Sequence, residues 1–396
     1  MYNMNYLVGI DSFFPDRPSG SARVAWDIAQ VMRNRGHKVT VFCRKQKPDA
    51  EDVSDYEGVS VVRFAFPKTA ILDPFKMHKQ KSAGVFAAKK YLSGTSWDVV
   101  HFHLALYGKI LYEAIGTAPR YVATVHSPIV MEQELVWAAQ GIAGKLKLCL
   151  GKGMLKSLER ETLQKAARIH TLSNFTKLCM DGYYGIGDKI TVIPHWCRED
   201  FVRCNSKADA RKITGWPHDA RILFSVRRLE WRMGLDVAIK AVAPLLQKHE
   251  NLYYMIAGTG SLDQNLKQLC ISLGVSDKIQ FLGRVSDALL KNCYEAADMF
   301  LLPTRALECF GLPVLEALAY GLPIISTDAA AIPELMRPIL PKCIVIAGNV
   351  ELLRQKVKEY LDNQLELPSS EELINYVKYN FGSEVIIPKL ISFLED

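Results

Sequence analysis

The stretch Leu301-Leu302-Pro303-Thr304-Arg305-Ala306-Leu307-Glu308-Cys309-Phe310-Gly311-Leu312-Pro313-Val314-Leu315-Glu316-Ala317-Leu318-Ala319-Tyr320-Gly321 leaves this chain little freedom in how it can fold. An apolar strand, Met299 to Leu302, stops at Pro303 and opens into a short loop with Glu308 and the unit Phe310-Gly311-Leu312-Pro313. Pro313 suits a first helical turn, where its missing N–H costs nothing. Val314, Leu315, Leu318 and Ala319 then recur at helical spacing until Gly321 ends the helix. Strand, glycine-bearing loop and helix in that order belong to α/β architecture. The free N–H groups and positive dipole end of such a helix favour a phosphate. A carboxylate one turn in can accept hydrogen bonds from a pair of sugar hydroxyls.

Two glutamates at this spacing carry little by themselves, since a chain of this length holds on the order of one such pair by chance. The context Glu308-x-Phe310-Gly311-Leu312-Pro313-x-x-Glu316-Ala317 is much rarer. It resembles the Glu-x7-Glu signature of retaining glycosyltransferases of family 4. That resemblance implies the GT-B fold: α/β, with two Rossmann-like doubly wound domains facing across a cleft.

A chain of 396 residues is long enough for two domains with separate cores. No apolar run approaches the ~20 residues of a membrane span, and no signal-peptide pattern opens the chain. The nine cysteines are scattered without a Cys-x-x-Cys pair, which suggests reduced thiols and a cytoplasmic protein. No Asp-x-Asp occurs, so the usual metal–diphosphate device of the other large transferase fold is missing, and no metal site is expected.

The N-terminal half opens as β-loop-α-β: a strand from Tyr6 to Asp11, a loop Ser12–Ser21, a helix from Ala22 to about Arg35, and a strand Lys38–Phe42. The run Pro18-Ser19-Gly20-Ser21 looks like the family's Gly-Gly loop, which faces the donor phosphate, with Ser19 departing from the pattern and Gly20 keeping it. Further strands are expected at Val59–Arg63, Val99–Phe102, Tyr121–Val125, Arg168–Thr171 and Ile190–Ile193, with Ser173 capping a helix. In His101-Phe102-His103 the imidazoles are expected on opposite faces, unable to share a metal, and structural in role. His126 stands just past a central strand, at the edge where open α/β sheets bind ligands, and resembles the family's active-site histidine. Two basic stretches follow. Lys68–Lys90 holds six lysines against one aspartate, and Lys145–Arg168 seven Lys/Arg against two glutamates. Solvated helix faces are the plain reading; peripheral contact with an anionic membrane at its inner face, or with an anionic glycan, is the sharper one. No nucleic-acid-reading module is present.

Arg198–Asp219 reads as a polar connection, after Pro194-His195-Trp196 where the family has Pro-Asn-Gly. A second strand–helix series starts at Arg221–Ser225. Arg227-Arg228-Leu229-Glu230-Trp231-Arg232-Met233-Gly234 leaves that strand for the helix Leu235–Leu246. Arginines at such a strand end suit a diphosphate, since guanidinium forks phosphate oxygens and keeps its charge. The family places an arginine and a lysine in this loop; Arg228 matches the first, and Arg232 is the substitute for a lysine whose position holds Met233. Tyr253–Ala257 and Gly258-Thr259-Gly260 form the next strand and turn, and the backbone at Arg284 and Val285 is where the family meets the nucleobase. A strand Pro323–Ser326 and helices at about Val350–Leu361, Ser370–Tyr379 and Ser383–Leu394 finish the chain.

The expectation is an N-terminal acceptor domain, residues 1–200, with the last helix, 383–396, packed back on it, and a nucleotide-sugar domain, 205–380. The resemblance implies a metal-independent, cofactor-free retaining transfer of a hexosyl unit from a nucleotide-diphosphate sugar, UDP- or GDP-linked, to a glycan, lipid-linked or small-molecule acceptor. His126, Glu308, Arg228 and Arg232 would act on the reacting groups. Gly20, Arg284, Val285, Cys309, Phe310, Gly311, Leu312 and Glu316 would bind the donor. Alternatives on the same fold are a sugar phosphorylase, a nucleotide-sugar epimerase or a non-catalytic glycan-binding protein.

Overall fold

The structure, a computed structural model, describes residues 3–17, 19–67, 76–138 and 141–395. The chain forms two compact units, Met1–Ile193 with Leu390–Asp396, and Pro194–Lys389.

Among the described residues the first unit holds an eight-stranded sheet in the order β3-β4-β2-β1-β5-β6-β7-β8. Its strands are β1 (Asn5–Gly9), β2 (Lys38–Arg44), β3 (Val53–Tyr56), β4 (Val59–Phe64), β5 (Val99–Phe102), β6 (Arg120–Val125), β7 (Arg168–Thr171) and β8 (Ile190–Val192). All neighbours are parallel except β3, which runs antiparallel to β4 at the edge. Sequence reading passes over β3 because Val53-Ser54-Asp55-Tyr56 is mostly exposed and lacks a buried face. Its hairpin turn, Glu57-Gly58, has φ of 51° and 74°, the double left-handed geometry that matches strand twist.

The second unit holds a six-stranded parallel sheet in the order β11-β10-β9-β12-β13-β14 among the described residues. Its strands are β9 (Arg221–Val226), β10 (Leu252–Ala257), β11 (Ile279–Gly283), β12 (Met299–Leu302), β13 (Ile324–Thr327) and β14 (Ile344–Val345). β12, Met299-Phe300-Leu301-Leu302, is wholly buried, as a strand covered on both faces must be. The polar connection after residue 198 is more ordered than its composition suggests. It contains a helix, Lys207–Thr214, capped by Ser206, and its buried Arg211 binds Asp298 at 2.7 Å.

In each unit the winding direction reverses beside one strand. β1 lies between β2 and β5, and β9 lies between β10 and β12. At such a reversal the connections leave to opposite sides, and the carboxyl ends of the two strands open a crevice.

The last helix, Ser383–Glu395, ends in the first unit. Glu395 accepts from Arg35 Nε at 2.6 Å, Arg35 Nη2 at 2.9 Å and His37 Nε2 at 3.1 Å. The Arg35 bond holds the Glu395 carboxyl below its ordinary value. A second anchor joins the helices Ile129–Ala138 and Gly141–Gln164. Glu159, buried on the latter, accepts from the backbone N–H of Ile129 at 2.8 Å and from the Tyr184 hydroxyl. Burial pushes its carboxyl up from 4.5 to about 7. The folded state therefore holds this proton more tightly than the unfolded chain. The group's contribution is full below pH 4.5 and is lost as pH rises toward 7. Glu159→Gln, which keeps the acceptor without the charge, is expected to gain up to ~3 kcal/mol relative to the wild type between pH 5 and pH 8. Urea unfolding at the two pH values checks this, and a pH-independent difference would refute it.

Candidate functional site

The carboxyl edge of the second sheet, where β9 and β12 lie side by side, gathers the chemistry-bearing residues of that unit. β9 ends at Val226, and the next two arginines point to opposite sides, as successive residues of an extended chain do. Arg227 is buried and Arg228 exposed. Arg227 Nη2 donates to Glu308 at 2.6 Å and to Thr304 Oγ1 at 2.7 Å. Sequence reading assigned nothing to Arg227; only strand register decides which arginine of the pair turns inward.

Arg232 ties the loop after β9 to the loop after β12. Its guanidinium donates to the Leu307 carbonyl at 2.5 Å, and its own carbonyl accepts from Arg305 N at 2.8 Å. Leu307, the residue before Glu308, has φ of 52°, a left-handed conformation a leucine adopts only under constraint. Met233, at the family's lysine position, is 5% exposed and packs as core. Glu230 ties this loop to the one after β10: its carboxylate accepts from Ser261 N at 3.1 Å and Ser261 Oγ at 2.7 Å. Arg305 is bidentate to Asp236 at 2.6 and 2.7 Å.

The loop enters the helix Leu312–Ala319 through Gly311, whose φ of 102° excludes a side chain, and Pro313 sits in the first turn. Cys309 is half-buried, Phe310 is buried with its ring edge-on to Phe381, and Leu312 is half-buried. One turn in, Glu316 accepts from the Tyr294 hydroxyl at 2.7 Å. Tyr294, also absent from the sequence reading, is 1% exposed and stacks on Tyr320. Burial, then the Glu316 charge, raises its hydroxyl well above the ordinary range, so it stays a donor. Arg284 and Val285 follow the end of β11, Arg284 exposed and Val285 half-buried, after Gly283 at φ 64°.

In the first unit, Gly20 begins the helix Gly20–Asn34, two residues earlier than expected. Ser19 caps it, its hydroxyl accepting from Ala22 N at 3.2 Å. Ser19 thus satisfies a free helix N–H, and a side chain added at Gly20 would meet only open space. Pro18 and residues 68–75 of the first basic stretch lie outside the described residues.

His126 follows β6 and is half-buried, with its Nε2 3.1 Å from His103 Nδ1. His101 and His103 lie on the same side, ring centroids 4.5 Å apart, which corrects the expectation of opposite faces. Residues two apart on a strand share a face. His101 is nonetheless spoken for. His170 Nε2 donates to the Ile193 carbonyl at 2.8 Å, so its Nδ1 accepts from Thr124 Oγ1 at 2.9 Å. The Thr124 oxygen then accepts from His101 Nε2 at 2.7 Å, and His101 Nδ1 accepts from Tyr6 at 2.7 Å. Every member has one proton to give and one lone pair to receive with. Burial pushes His101 down to about 3 and His103 well below its ordinary value. His103 Nε2 is buried without a partner. An orphaned lone pair costs less there than an orphaned N–H, so His103 carries its proton on Nδ1 and donates to His126. Among the described residues, no group of three or more His, Cys, Asp or Glu side chains stands together to hold a metal.

Comparison with known proteins bears on both units. Residues 18–200 match Glycosyltransferase Family 4, and residues 206–379 match Glycosyl transferases group 1. A glycosyltransferase of Methanocaldococcus jannaschii is 26% identical over 295 residues, 72% of this chain and 70% of that one. The phosphatidyl-myo-inositol mannosyltransferase of Mycobacterium tuberculosis is 25% identical, covering 75% of this chain and 70% of its own. Among solved structures, sucrose-phosphate synthase from Thermosynechococcus elongatus superposes with a TM-score of 0.83 over 99% of this chain and 98% of that one, at 18% identity. Anabaena HepE, solved with UDP and glucose, gives 0.76 over 100% of each chain at 16% identity.

Nitrogen-resolved NMR of histidine-labelled protein is expected to show His101 protonated on Nε2 and His103 on Nδ1, both unchanged from pH 5 to 8. An Nε2-protonated or cationic His103 in that range would refute the assignment.

Proposed function

The chain belongs to the family 4, group 1 glycosyltransferases, and we propose that it moves a hexosyl unit from a UDP- or GDP-sugar to a glycan, lipid-linked or small-molecule acceptor, with retention and without a metal. The observation that carries this reading is the cluster at the β9–β12 reversal. Two carboxylates, Glu308 and Glu316, are each held by a buried donor beside a helix N-terminus, and the loop that supplies Arg227 also carries the exposed Arg228. Glu316 takes the ribose hydroxyls. Arg228 and Arg232 take the diphosphate, on which charge builds as the glycosidic bond breaks; fixed cations there lower the barrier directly. Glu308 takes hydroxyls of the transferred sugar, with backbone N–H groups around Cys309, Phe310, Gly311 and Leu312. Arg284 and Val285 offer backbone to the base. His126 and the open turn at Gly20 are the first unit's candidates for contact with the sugar and phosphate.

The carboxylates at this edge are engaged by Arg227, Tyr294, Ser261 and Arg305, which argues against a free carboxylate nucleophile. We assign a front-face displacement, with the departing phosphate as base toward the acceptor hydroxyl. HepE supports a uridine donor through the UDP in its complexes, and the mannosyltransferase and an alpha-monoglucosyldiacylglycerol synthase of Streptococcus pneumoniae support a lipid acceptor through their names. Among the described residues no helix is long and apolar enough to cross a membrane. Peripheral contact is assigned to the basic helices Lys76–Leu92 and Gly141–Gln164, on which Phe86 is 73% and Met154 53% exposed.

Melting in EDTA with UDP, GDP or ADP is expected to single out one nucleotide, adding ~2.7 kcal/mol at a hundredfold over its dissociation constant. The shift should vanish in Glu316→Ala. An α-linked donor should give an α-linked product by NMR. No shift with any nucleotide, or a β-linked product, would overturn donor and retention respectively. Vesicles rich in phosphatidylglycerol should pellet the protein, whereas pure phosphatidylcholine should not. Equal recovery with both would remove the anionic surface.

A further inference from the structure

We propose that Arg227 and Tyr294 are positioning residues that divide the donor between them: Arg227 sets the carboxylate for the transferred sugar, and Tyr294 sets the carboxylate for the nucleotide. The inference rests on the donor-binding reading above and goes beyond it by giving a separate role to each of the two buried donors.

Arg227 is fixed at its backbone and at the end of its side chain. Its backbone N–H donates to Ala257 O at 2.9 Å, and a Cβ on Gly258 would lie 1.8 Å from its carbonyl oxygen, so the strand ends touch. Its side chain is 5% exposed. The two hydrogens of Nη2 go to Thr304 Oγ1 and Glu308 Oε2. Thr304 is in turn held by Thr327, whose hydroxyl donates to the Thr304 carbonyl at 2.5 Å. A line of contacts thus runs from the interior of the sheet to Oε2 of Glu308 and leaves Oε1 for a ligand. Arg227 Nε is buried without a partner. Leaving a guanidinium N–H unpaired is costly, so the pairing of Nη2 must be worth keeping against that cost. An arginine committed this way is not a phosphate clamp; that work falls to its exposed neighbour Arg228.

Tyr294 holds one oxygen of the other carboxylate. Its ring lies between Phe224 at 5.5 Å edge-on and Tyr320 at 5.5 Å stacked, and its hydroxyl takes Oε2 of Glu316. Each glutamate therefore has its Oε2 fixed by a buried donor, which sets the plane of the carboxylate. The two supports lie close enough that Arg227 acts electrostatically on the Tyr294 hydroxyl.

Positioning and plain structural support separate in one binding experiment that needs no acceptor. Dissociation constants are measured by calorimetry for UDP and UDP-glucose, and for GDP and GDP-mannose, with wild type, Arg227→Lys, Arg227→Gln and Tyr294→Phe. In the pair the wild type binds, Arg227→Lys and Arg227→Gln should leave the free nucleotide within about twofold and weaken the nucleotide sugar about tenfold further. Tyr294→Phe should weaken both ligands by the same factor, about tenfold, leaving their ratio unchanged. Adding Arg227→Lys to Glu308→Gln should cost nothing more, since the support then has no charge to place. Equal weakening of both ligands by the Arg227 variants, or a changed ratio in Tyr294→Phe, would overturn the division of labour. Failure of the wild type to bind either pair would instead overturn the donor reading, and this inference with it.

Discussion

The site in the second unit depends on how closely three backbone segments approach one another. A Cβ on Gly258 would stand 1.8 Å from the Arg227 carbonyl oxygen, one on Gly234 1.8 Å from that of Pro303, and one on Gly260 2.4 Å from that of Leu229. Only glycine permits these approaches, and they draw the loops after β9, β10 and β12 together at the carboxyl edge. A buried arginine–glutamate pair gains over its desolvation cost only when its geometry is held. Here the holding is done by backbone: Arg227 hangs from β10, Glu308 follows the strained Leu307, and Arg232 spans the gap with both its carbonyl and its guanidinium.

What sequence revealed follows the range of the interactions involved. The strand before Pro303, the turn at Gly311 and the helix carrying Glu316 are set by neighbours within a few residues, and they were legible. So was the doubly wound class, because strands buried on both faces read as continuous apolar runs. Arg227 was not, because its partner Glu308 lies 81 residues away, and the choice between Arg227 and Arg228 is made by strand register. Tyr294 looked like one more core aromatic, since the carboxylate it serves lies on a different helix, 22 residues on. The histidines failed differently. Their spacing did carry the answer, a shared face, while the run through Thr124 and His170 needed three strands in register. Ser19 looked like a defect in a glycine pattern and is a helix cap.

The cations at this edge are not equivalent in burial or in the partners the structure gives them. Arg227 is spent on Glu308, and Arg305 on Asp236. Arg232 has one nitrogen on the Leu307 carbonyl, and Arg228 stands exposed. A lysine at Met233 would have to bring its ammonium out of a pocket that leaves 5% of the residue exposed. That burial is costly for an ammonium, whose charge is compact and strongly hydrated. Guanidinium suffers less, because it is weakly hydrated and retains its charge when partly enclosed. Methionine inside and arginine beside it therefore keep a cation at this edge while the core stays apolar. The acids divide in the same way, since Glu308 and Glu316 each have one oxygen fixed by a buried donor. The enclosed donors, Arg227 and Tyr294, set the direction of the two carboxylates.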